Sequence, residues 1–279
     1  MCTVVILRRP GHAWPLLLAA NRDELRSRPS LPPARHWPDR PEVTAGLDLL
    51  ADGSWLGVND HGLVACVLNR TGTLGPQPSR RSRGELVLEA LDHAEANAAA
   101  GALADLHPDA YRPFNLLVAD PRDCYWLRHG GDGEIRVHAV PPGLHMLTAA
   151  ELDDTSQPRI ERFLPAFRAA AEPEPAADGG DWRGWVALLA QRAADDVAPA
   201  LRHAAMNLDG ILVDGQPYGT VASSLVAIPA YPGFDALPVL LHADGPPDRA
   251  SFEWVAIAAS DADQEAQAPD CKAAQDSDN

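Results

Sequence analysis

The sequence has no apolar run of the roughly 18 to 20 residues that a membrane-spanning helix needs, and the densest stretch near its start covers only residues 14–20. It also lacks a basic segment followed by an apolar stretch and a small-residue cleavage site, so we expect no integral membrane segment and no export. Positive charge is scarce, because 23 Lys and Arg stand against 39 Asp and Glu and leave a net charge of −16. Such a charge repels phosphate backbones, which excludes nucleic acid as an expected partner.

Cysteine is sparse and scattered. Cys2, Cys66, Cys124 and Cys271 form no CxxC pair, no haem-attachment motif and no spacing of the structural-zinc type. Isolated cysteines of this kind favour a reducing compartment. We therefore expect a cytoplasmic protein that holds no metal and no resident cofactor and acts on a small-molecule substrate or ligand.

Apolar residues are plentiful, at 46% of the 279 positions, which is enough for a packed core. No compositional break and no repeat divides the chain, so we predict a single domain over residues 1–259. Residues 260–279 carry six acids and one lysine with few apolar residues, and this composition predicts a disordered tail.

The apolar pattern predicts strands grouped as hairpins and meanders. The predicted strands cover residues 2–7, 16–20, 54–58, 63–68, 114–119, 125–129, 135–140, 220–228, 239–243 and 252–258. Helical spacing predicts two helices within 84–106, or one helix interrupted near Gly101, and further helices around 160–167 and 182–189. The five prolines of segment 26–41 predict an irregular loop. Hairpins in place of regular βαβ alternation favour an α+β protein with mostly antiparallel sheets covered by helices.

Cys2 is the first candidate for chemistry. Removal of Met1 would leave the Cys2 thiol beside its own α-amine, whose ordinary pKa of about 7.7 to 8.0 suits proton transfer near neutral pH. One residue would then supply both the nucleophile and the base. The alternative is that Cys2 is a small buried apolar residue.

The run Asn21-Arg22-Asp23-Glu24 is the second candidate, since it ends the strand that pairs with the strand after Cys2. Asp23 can then approach the Cys2 α-amine and hold the ammonium group in position. Asn21 and Arg22 are the candidate substrate-binding residues. A solvated charged turn is the alternative interpretation.

Several motifs together resemble a known family. They are MCTVVIL at the start, LLLAANRDELRSRPS at 16–30, GSWLGVN at 53–59, LVACVLNRTG at 63–72, SRGELV at 82–87, FNLLVAD at 114–120 and YGTVASSLVAI at 218–228. Their order and spacing, from residue 1 to about 259, resemble the NRDE family, also called the transport and Golgi organisation 2 family. The resemblance implies the N-terminal nucleophile (Ntn) hydrolase fold, a four-layer αββα sandwich with two mostly antiparallel sheets.

A more distant resemblance connects the sequence with the Ntn cysteine amidases that cleave penicillin V and conjugated bile salts. It implies that Cys2 is the nucleophile, that Asp23 lies beside it, and that Asn69 helps to stabilise the oxyanion; a strand-ending turn is the other interpretation of Asn69. Two positions depart from the amidase pattern. Ala149 stands where those enzymes have a second functional Asn, and Ala20 stands where they have an Arg before the Asn-Arg-Asp run.

Two arginine clusters are further candidates for binding an anionic substrate group, although exposed arginines are more often solvated surface. They comprise Arg8 and Arg9, and Arg80, Arg81 and Arg83.

Two functions follow from these observations. The first is an Ntn-type cysteine hydrolase that cleaves a non-peptide C–N amide bond. The second is a non-catalytic protein of the same fold that binds or traffics haem or lipid, which the resemblance implies because members of the family have been linked to haem mobilisation and membrane trafficking. His61 and His145 are candidate ligands for a metal or haem, or hydrogen-bonded structural residues.

Overall fold

Two antiparallel sheets form the centre of the molecule. The computed structural model describes residues 2–194, 198–232 and 236–257, and within them each sheet has seven strands. The first sheet has the order β10-β1-β2-β12-β13-β14, with β11 paired to β12. Its strands are β1 (Thr3–Arg8), β2 (Leu16–Leu25), β10 (Gly143–Leu147), β11 (Ile211–Val213), β12 (Gln216–Ile228), β13 (Val239–Ala243) and β14 (Glu253–Trp254).

The second sheet follows the chain order from β3 to β9. Its strands are β3 (Ser30–Ala34), β4 (Val43–Asp48), β5 (Leu56–Asn59), β6 (Val64–Asn69), β7 (Phe114–Ala119), β8 (Cys124–His129) and β9 (Ile135–Ala139). Four helices accompany the sheets, namely α1 (Glu85–Leu91), α2 (Ala96–Ala104), α3 (Pro158–Ala169) and α4 (Arg183–Leu189).

Three apolar clusters stack these elements into four layers. One cluster fills the space between the sheets, with Val4 of β1 facing Leu117 of β7. A second joins the outer face of the second sheet to α1 and α2. A third joins the outer face of the first sheet to α3 and α4, where Phe163 and Trp185 are fully buried. The order helix, sheet, sheet, helix confirms the predicted αββα sandwich.

The period-two alternation of β1 and β2 produces this layering. Val4 and Ile6 face the core between the sheets, whereas Val5 and Leu7 face the helices. Both faces of these central strands are covered, and therefore β1, apart from its first and last residues, and the first half of β2 are apolar. The spacing at Ile160 and onward likewise matches the buried side of α3, as predicted.

The structure corrects several boundaries. The second strand does not stop at Ala20 but continues to Leu25, so the Asn-Arg-Asp-Glu run lies within a strand. The proline-rich segment 26–41 contains β3, an edge strand that tolerates Pro32 and Pro33 because its register with β4 shifts at that point. The segment 84–106 forms two helices, α1 and α2, which is the first of the two predicted alternatives; the break lies at residues 92–95, and Gly101 lies within α2.

The apolar pattern does not predict every strand. β4, β10 and β11 were missed, and the strand predicted at 252–258 is reduced to β14. The predicted tail at residues 260–279 and the predicted domain limit at 259 lie outside the described residues. Within the described ranges, no helix combines the length and the apolar character needed to cross a bilayer.

Candidate active site

Cys2 lies at the start of β1, where Thr3 pairs with Asn21 of β2. Strand alternation places Cys2 on the same face as Val4, so its half-buried side chain packs against the core between the sheets. The backbone N–H of Asp23 donates to Cys2 Sγ at 3.4 Å, and the thiol lies 3.5 Å from the Asp23 carbonyl oxygen. Two adjacent strands therefore hold the sulfur in a defined position.

The surroundings of the sulfur favour a neutral thiol at rest. Burial is the main cause that raises the pKa of Cys2 above its ordinary value, and the negative charge of Asp23 adds to it. The hydrogen bond from the Asp23 N–H acts in the opposite direction. Attack by such a sulfur needs a base to remove its proton.

The carboxylate of Asp23 points to the other face of the first sheet, under α3. Its Oδ2 accepts a hydrogen bond from Arg159 at 2.9 Å, and its Oδ1 accepts one from Thr220 at 2.7 Å. Arg159 also donates to Thr3 Oγ1 at 2.6 Å. The ion pair is buried, with 3% of the Arg159 side chain and none of the Asp23 side chain exposed.

Hydrogen bonds also hold the backbone of Asp23. The Tyr218 hydroxyl donates to the Asp23 carbonyl oxygen at 2.9 Å. A β-bulge in β12, between Thr220 and Ala222, lies opposite Asp23 and Arg22. Bulges of this kind redirect side chains next to functional sites.

Asn21 is fully engaged inside the protein. Its amide nitrogen donates to the carbonyl oxygens of Leu189 and Met206, and its Oδ1 accepts from Ser223 at 2.7 Å. These bonds tie the end of α4 to β2. The geometry gives Asn21 a structural task, because both N–H groups of its amide donate within the protein.

Arg22 points to the opposite face and lines a cavity of about 230 Å³ together with Cys2. Its guanidinium lies 4.1 Å from the ring centroid of Trp55 and donates to Ser30 Oγ. Trp55 lies over Gly46 of β4, where an added Cβ would come within 2.3 Å of the indole ring. Gly46 is thus needed for the close approach of Trp55, which in turn supports Arg22.

Asn69 ends β6 and lines the same cavity as Cys2. Gln77 is the other side-chain amide among the described lining residues. The structure therefore brings Cys2, Arg22 and Asn69 to one cavity. The backbone of Asp23 contacts the Cys2 sulfur, and the Asp23 carboxylate lies on the opposite face of the first sheet. Ala149 does not line the cavity; it is buried, and its carbonyl oxygen accepts from the Thr71 N–H.

The arginine clusters separate in the fold. Arg80, Arg81 and Arg83 line the cavity, whereas Arg8 donates to backbone carbonyl oxygens elsewhere and Arg9 pairs with a surface glutamate.

Neither candidate histidine lines the cavity. His61 lies 3.3 Å from Glu42 at the surface, and His145 lies 2.6 Å from Asp153. In the described part of the chain, no group of three or more His, Cys, Asp or Glu side chains is arranged to hold a metal ion.

Sequence reasoning missed several residues of the site. Arg159 comes from α3, 136 positions after Asp23, and no spacing rule connects the two. Thr220 and Tyr218 lie in the YGTVASS motif, which was noted for its resemblance and not for its contacts with Asp23. Trp55 lies in the GSWLGVN motif, which was noted in the same way.

Two solved structures that resemble this chain are N-terminal nucleophile hydrolases. The chain superposes on the Caenorhabditis elegans N-acylethanolamine-hydrolyzing acid amidase ortholog with a TM-score of 0.55 and 12% identity, covering 83% of this chain and 94% of that one. For the R18L variant of conjugated bile acid hydrolase from Clostridium perfringens, the TM-score is 0.50 at 12% identity, covering 91% and 96%. The molecule has the fold of the Ntn hydrolases.

A sequence profile identifies the family within that class. The profile described as Transport and Golgi organisation 2 matches residues 1–231, and the chain belongs to this family. The mouse Transport and Golgi organization 2 homolog is 32% identical over 160 residues, and the human homolog is 34% identical over 153 residues. Each alignment covers 51% of this chain and 53% of the relative, so the chain spans about half the length of the curated relatives it matches.

Proposed function

We propose that the protein is an Ntn-type cysteine hydrolase of a non-peptide C–N amide bond, with Cys2 as the nucleophile. The observation that carries the proposal is the position of the Cys2 sulfur, held by the Asp23 backbone at the wall of a cavity of about 230 Å³ that Asn69 also lines. The two structural relatives are named as an acid amidase and a conjugated bile acid hydrolase, and these names suggest the type of bond to test.

The proposed reaction begins after removal of Met1. The α-amine of Cys2 takes the thiol proton as Sγ attacks the substrate carbonyl carbon, and Asn69 donates to the oxygen that becomes negative. The C–N bond then breaks, the leaving nitrogen receives the proton, and a thioester remains on Cys2. Water, deprotonated by the same amine, hydrolyses the thioester and regenerates the thiol.

In this proposal Asp23 orients the amine. The buried ion pair with Arg159 and the hydrogen bond from Thr220 hold the Asp23 carboxylate in one position. After Met1 is removed, this carboxylate can hold the charged α-amine of Cys2 in the orientation that the reaction needs. Arg22 contacts the substrate from the same wall of the cavity. We place the reaction in the cytoplasm, because Cys2, Cys66 and Cys124 are free and unpaired cysteines are typical of a reducing compartment.

The deciding experiment uses protein carrying only a C-terminal tag. Its intact mass shows whether Met1 has been removed, and labelling with a thiol-reactive acyl probe followed by peptide mapping shows which cysteine reacts. We expect Met1 to be absent and Cys2 to react before Cys66, Cys124 and Cys271, since the cavity gives the probe access to the half-buried Cys2 whereas Cys66 and Cys124 are buried. Retention of Met1, or faster labelling of another cysteine, contradicts the mechanism.

Two matched variants connect labelling with turnover. Cys2→Ala abolishes hydrolysis in a screen of N-acyl amides, whereas Cys124→Ala, at a buried position on β8, retains it. Hydrolysis that survives Cys2→Ala rules out Cys2 as the nucleophile.

Non-catalytic binding of haem or lipid is the second candidate. The observation that favours it is Ala149, a buried alanine where the distant amidase relatives have a functional Asn. A shifted haem absorbance band, or a raised unfolding temperature with micromolar haem or lipid, in protein that hydrolyses no amide supports this candidate.

A further inference from the structure

The cavity beside Cys2 has the opposite charge to the molecule as a whole. Two carboxylates, Glu24 and Asp48, line it, against a net charge of −16 for the full chain. The guanidinium groups that line the same cavity come from Arg22, Arg28, Arg80, Arg81, Arg83 and Arg112.

Some of these arginines are already neutralised. Arg28 donates to Asp48 Oδ2 at 2.7 Å, and Arg22 lies 3.9 Å from the same oxygen. Arg81 is paired with two carboxylates of the chain, Glu85 and Glu89, at 2.6 and 2.8 Å. These three guanidinium groups have their counter-charges within the protein.

Arg83 and Arg112 are different, because they bond only to neutral oxygens. Arg83 donates to Thr73 Oγ1 at 2.9 Å and to the Pro113 carbonyl oxygen at 3.0 Å. Arg112 donates to the Gly75 carbonyl oxygen at 2.8 Å, and Arg83 reaches the same oxygen at 3.5 Å. Two positive groups therefore meet at one carbonyl oxygen.

Arg80 completes the cluster by donating to the Tyr111 carbonyl oxygen. Across residues 2–194, 198–232 and 236–257, no carboxylate forms an ion pair with Arg80, Arg83 or Arg112. Glu24 lines the cavity and raises the pKa of Arg83, but it is one charge against three guanidinium groups. The excess of positive charge in a partly buried site is electrostatically unfavourable, and a bound anion reduces the penalty.

The lowered pKa of Arg83 shows that its charged form is disfavoured in this position. Burial is the main cause that lowers it from 12.5 to about 10, and the neighbouring charge of Arg112 lowers it further. The group is still cationic at neutral pH, so it offers charge-assisted hydrogen bonds to an anion.

We propose that Arg80, Arg83 and Arg112 form a binding subsite for a doubly charged oxyanion, and that the substrate attacked at Cys2 carries such a group, a phosphate. Three uncompensated guanidinium groups favour a dianion over a single carboxylate. The inference rests on the proposed function for its link to Cys2, but the subsite itself is tested by binding alone.

Thermal unfolding of the Cys2→Ala protein with inorganic phosphate is the first test, because it requires no catalysis. At a phosphate concentration about ten times the dissociation constant, we expect the unfolding midpoint to rise by roughly 3 °C relative to sodium chloride of equal ionic strength. Acetate should give a smaller rise. No rise with phosphate, or an equal rise with acetate, overturns the dianion subsite.

Matched variants distinguish the subsite from general salt effects. Arg80→Gln and Arg83→Gln should each weaken phosphate binding about tenfold, the loss typical of a charge-assisted contact. Arg81→Gln, in the same cavity but paired with Glu85 and Glu89, should bind phosphate like the parent. Equal phosphate responses in all three variants identify stabilisation by excluded salt and overturn the proposal.

The link to Cys2 has its own measurement. Phosphate should slow the labelling of Cys2 by iodoacetate in the protein with its native cysteine, because both anions occupy one cavity. Phosphate that binds without slowing this reaction disproves the link to the substrate. Failure of amide hydrolysis with intact phosphate binding disproves only the proposed function.

Discussion

At the residue scale, neighbouring side chains of β2 perform different tasks because they point to opposite faces of the sheet. Arg22 enters the cavity, whereas Asn21 and Asp23 are bonded beneath the helices. Strand β2 therefore contributes Arg22 to the wall of the cavity and, from its other face, the hydrogen bonds that hold the strand against the helices. The support includes a buried ion pair, Asp23–Arg159.

Replacing Asp23 by Asn tests this support. The change keeps the shape of the side chain and removes its negative charge. Arg159 then loses the counter-charge that its buried position requires. We expect the free energy of unfolding to fall by about 3 to 5 kcal/mol. The control is Asp60→Asn, which breaks the half-exposed pair with Arg35 and should change stability by about 1 kcal/mol or less. Equal losses in denaturant titrations of the two variants would contradict this assignment.

His242 gives a residue-scale prediction about pH. Its ring lies 2.9 Å from Ser224 Oγ and is buried, and burial is the main cause that lowers its pKa from 6.5 to about 4. Asp244 raises the pKa and Arg22 lowers it further. Between pH 6.5 and 4 the unfolded chain binds a proton that the folded His242 does not, so stability falls as the pH falls through this window.

The His242→Gln variant removes this contribution. The destabilisation by His242 is absent above pH 6.5 and complete below pH 4, where it amounts to about 3 kcal/mol. Denaturant titrations across this range should therefore show a shallower decline for the variant than for the parent. Parallel declines would show that His242 is not buried in its neutral form.

At the scale of elements, the cavity depends on close contact between strands of the second sheet. Gly46 on β4 leaves room for Trp55, and Trp55 stacks with Arg22 from the first sheet. The contact connects the two sheets at the point where Cys2 lies. Small changes in β4 are therefore transmitted to the cavity wall through one aromatic ring.

Gly46→Ala should displace that ring, because the new Cβ would lie 2.3 Å from two of its carbon atoms. We expect a loss of about 1 to 3 kcal/mol in stability, as for other overpacked sites, together with altered labelling of Cys2. Gly101→Ala in α2 is the matched control. Apart from the backbone of its own helix, no atom of the described residues lies within 4 Å of the added Cβ, and the change should stabilise the protein by about 0.5 to 1 kcal/mol. An unchanged Cys2 labelling rate in Gly46→Ala would contradict the role of Trp55.

At the scale of the whole molecule, an acidic protein contains a basic cavity. The net charge of −16 repels anions at a distance, while the arginines that line the cavity attract them at close range. Salt screens exposed charges over about 8 to 10 Å, so the short-range field inside the cavity is screened less than the long-range repulsion.

The balance between these fields is measurable at Cys2 with two probes of similar size. Iodoacetate is an anion and iodoacetamide is neutral, so their ratio of labelling rates reports the local potential. We expect a higher ratio at Cys2 than for a small free thiol, and a fall of the ratio in Arg83→Gln but not in Arg81→Gln. A ratio below that of the free thiol would mean that the net charge of the molecule dominates at the site.

Much of the fold could be predicted because local apolar periodicity decides it. The meander β7 to β9 and the buried sides of α3 and α4 follow from spacing alone, since each burial pattern is repeated within the element. β10 could not be found in this way. It pairs with β1 from more than a hundred residues away, and only that partner makes its short segment a strand.

The order of residues along the chain is enough to predict that Cys2 and the run Asn21-Arg22-Asp23-Glu24 lie on paired strands, because a hairpin is a feature of local order. The contacts that support Asp23, and the positive charges that line the cavity beside Cys2, come only from the tertiary structure. Arg159 reaches Asp23 from a helix far along the chain, and Arg112 joins Arg83 from a separate loop. No local pattern contains these contacts, because they exist only after the sheets and helices have packed against one another.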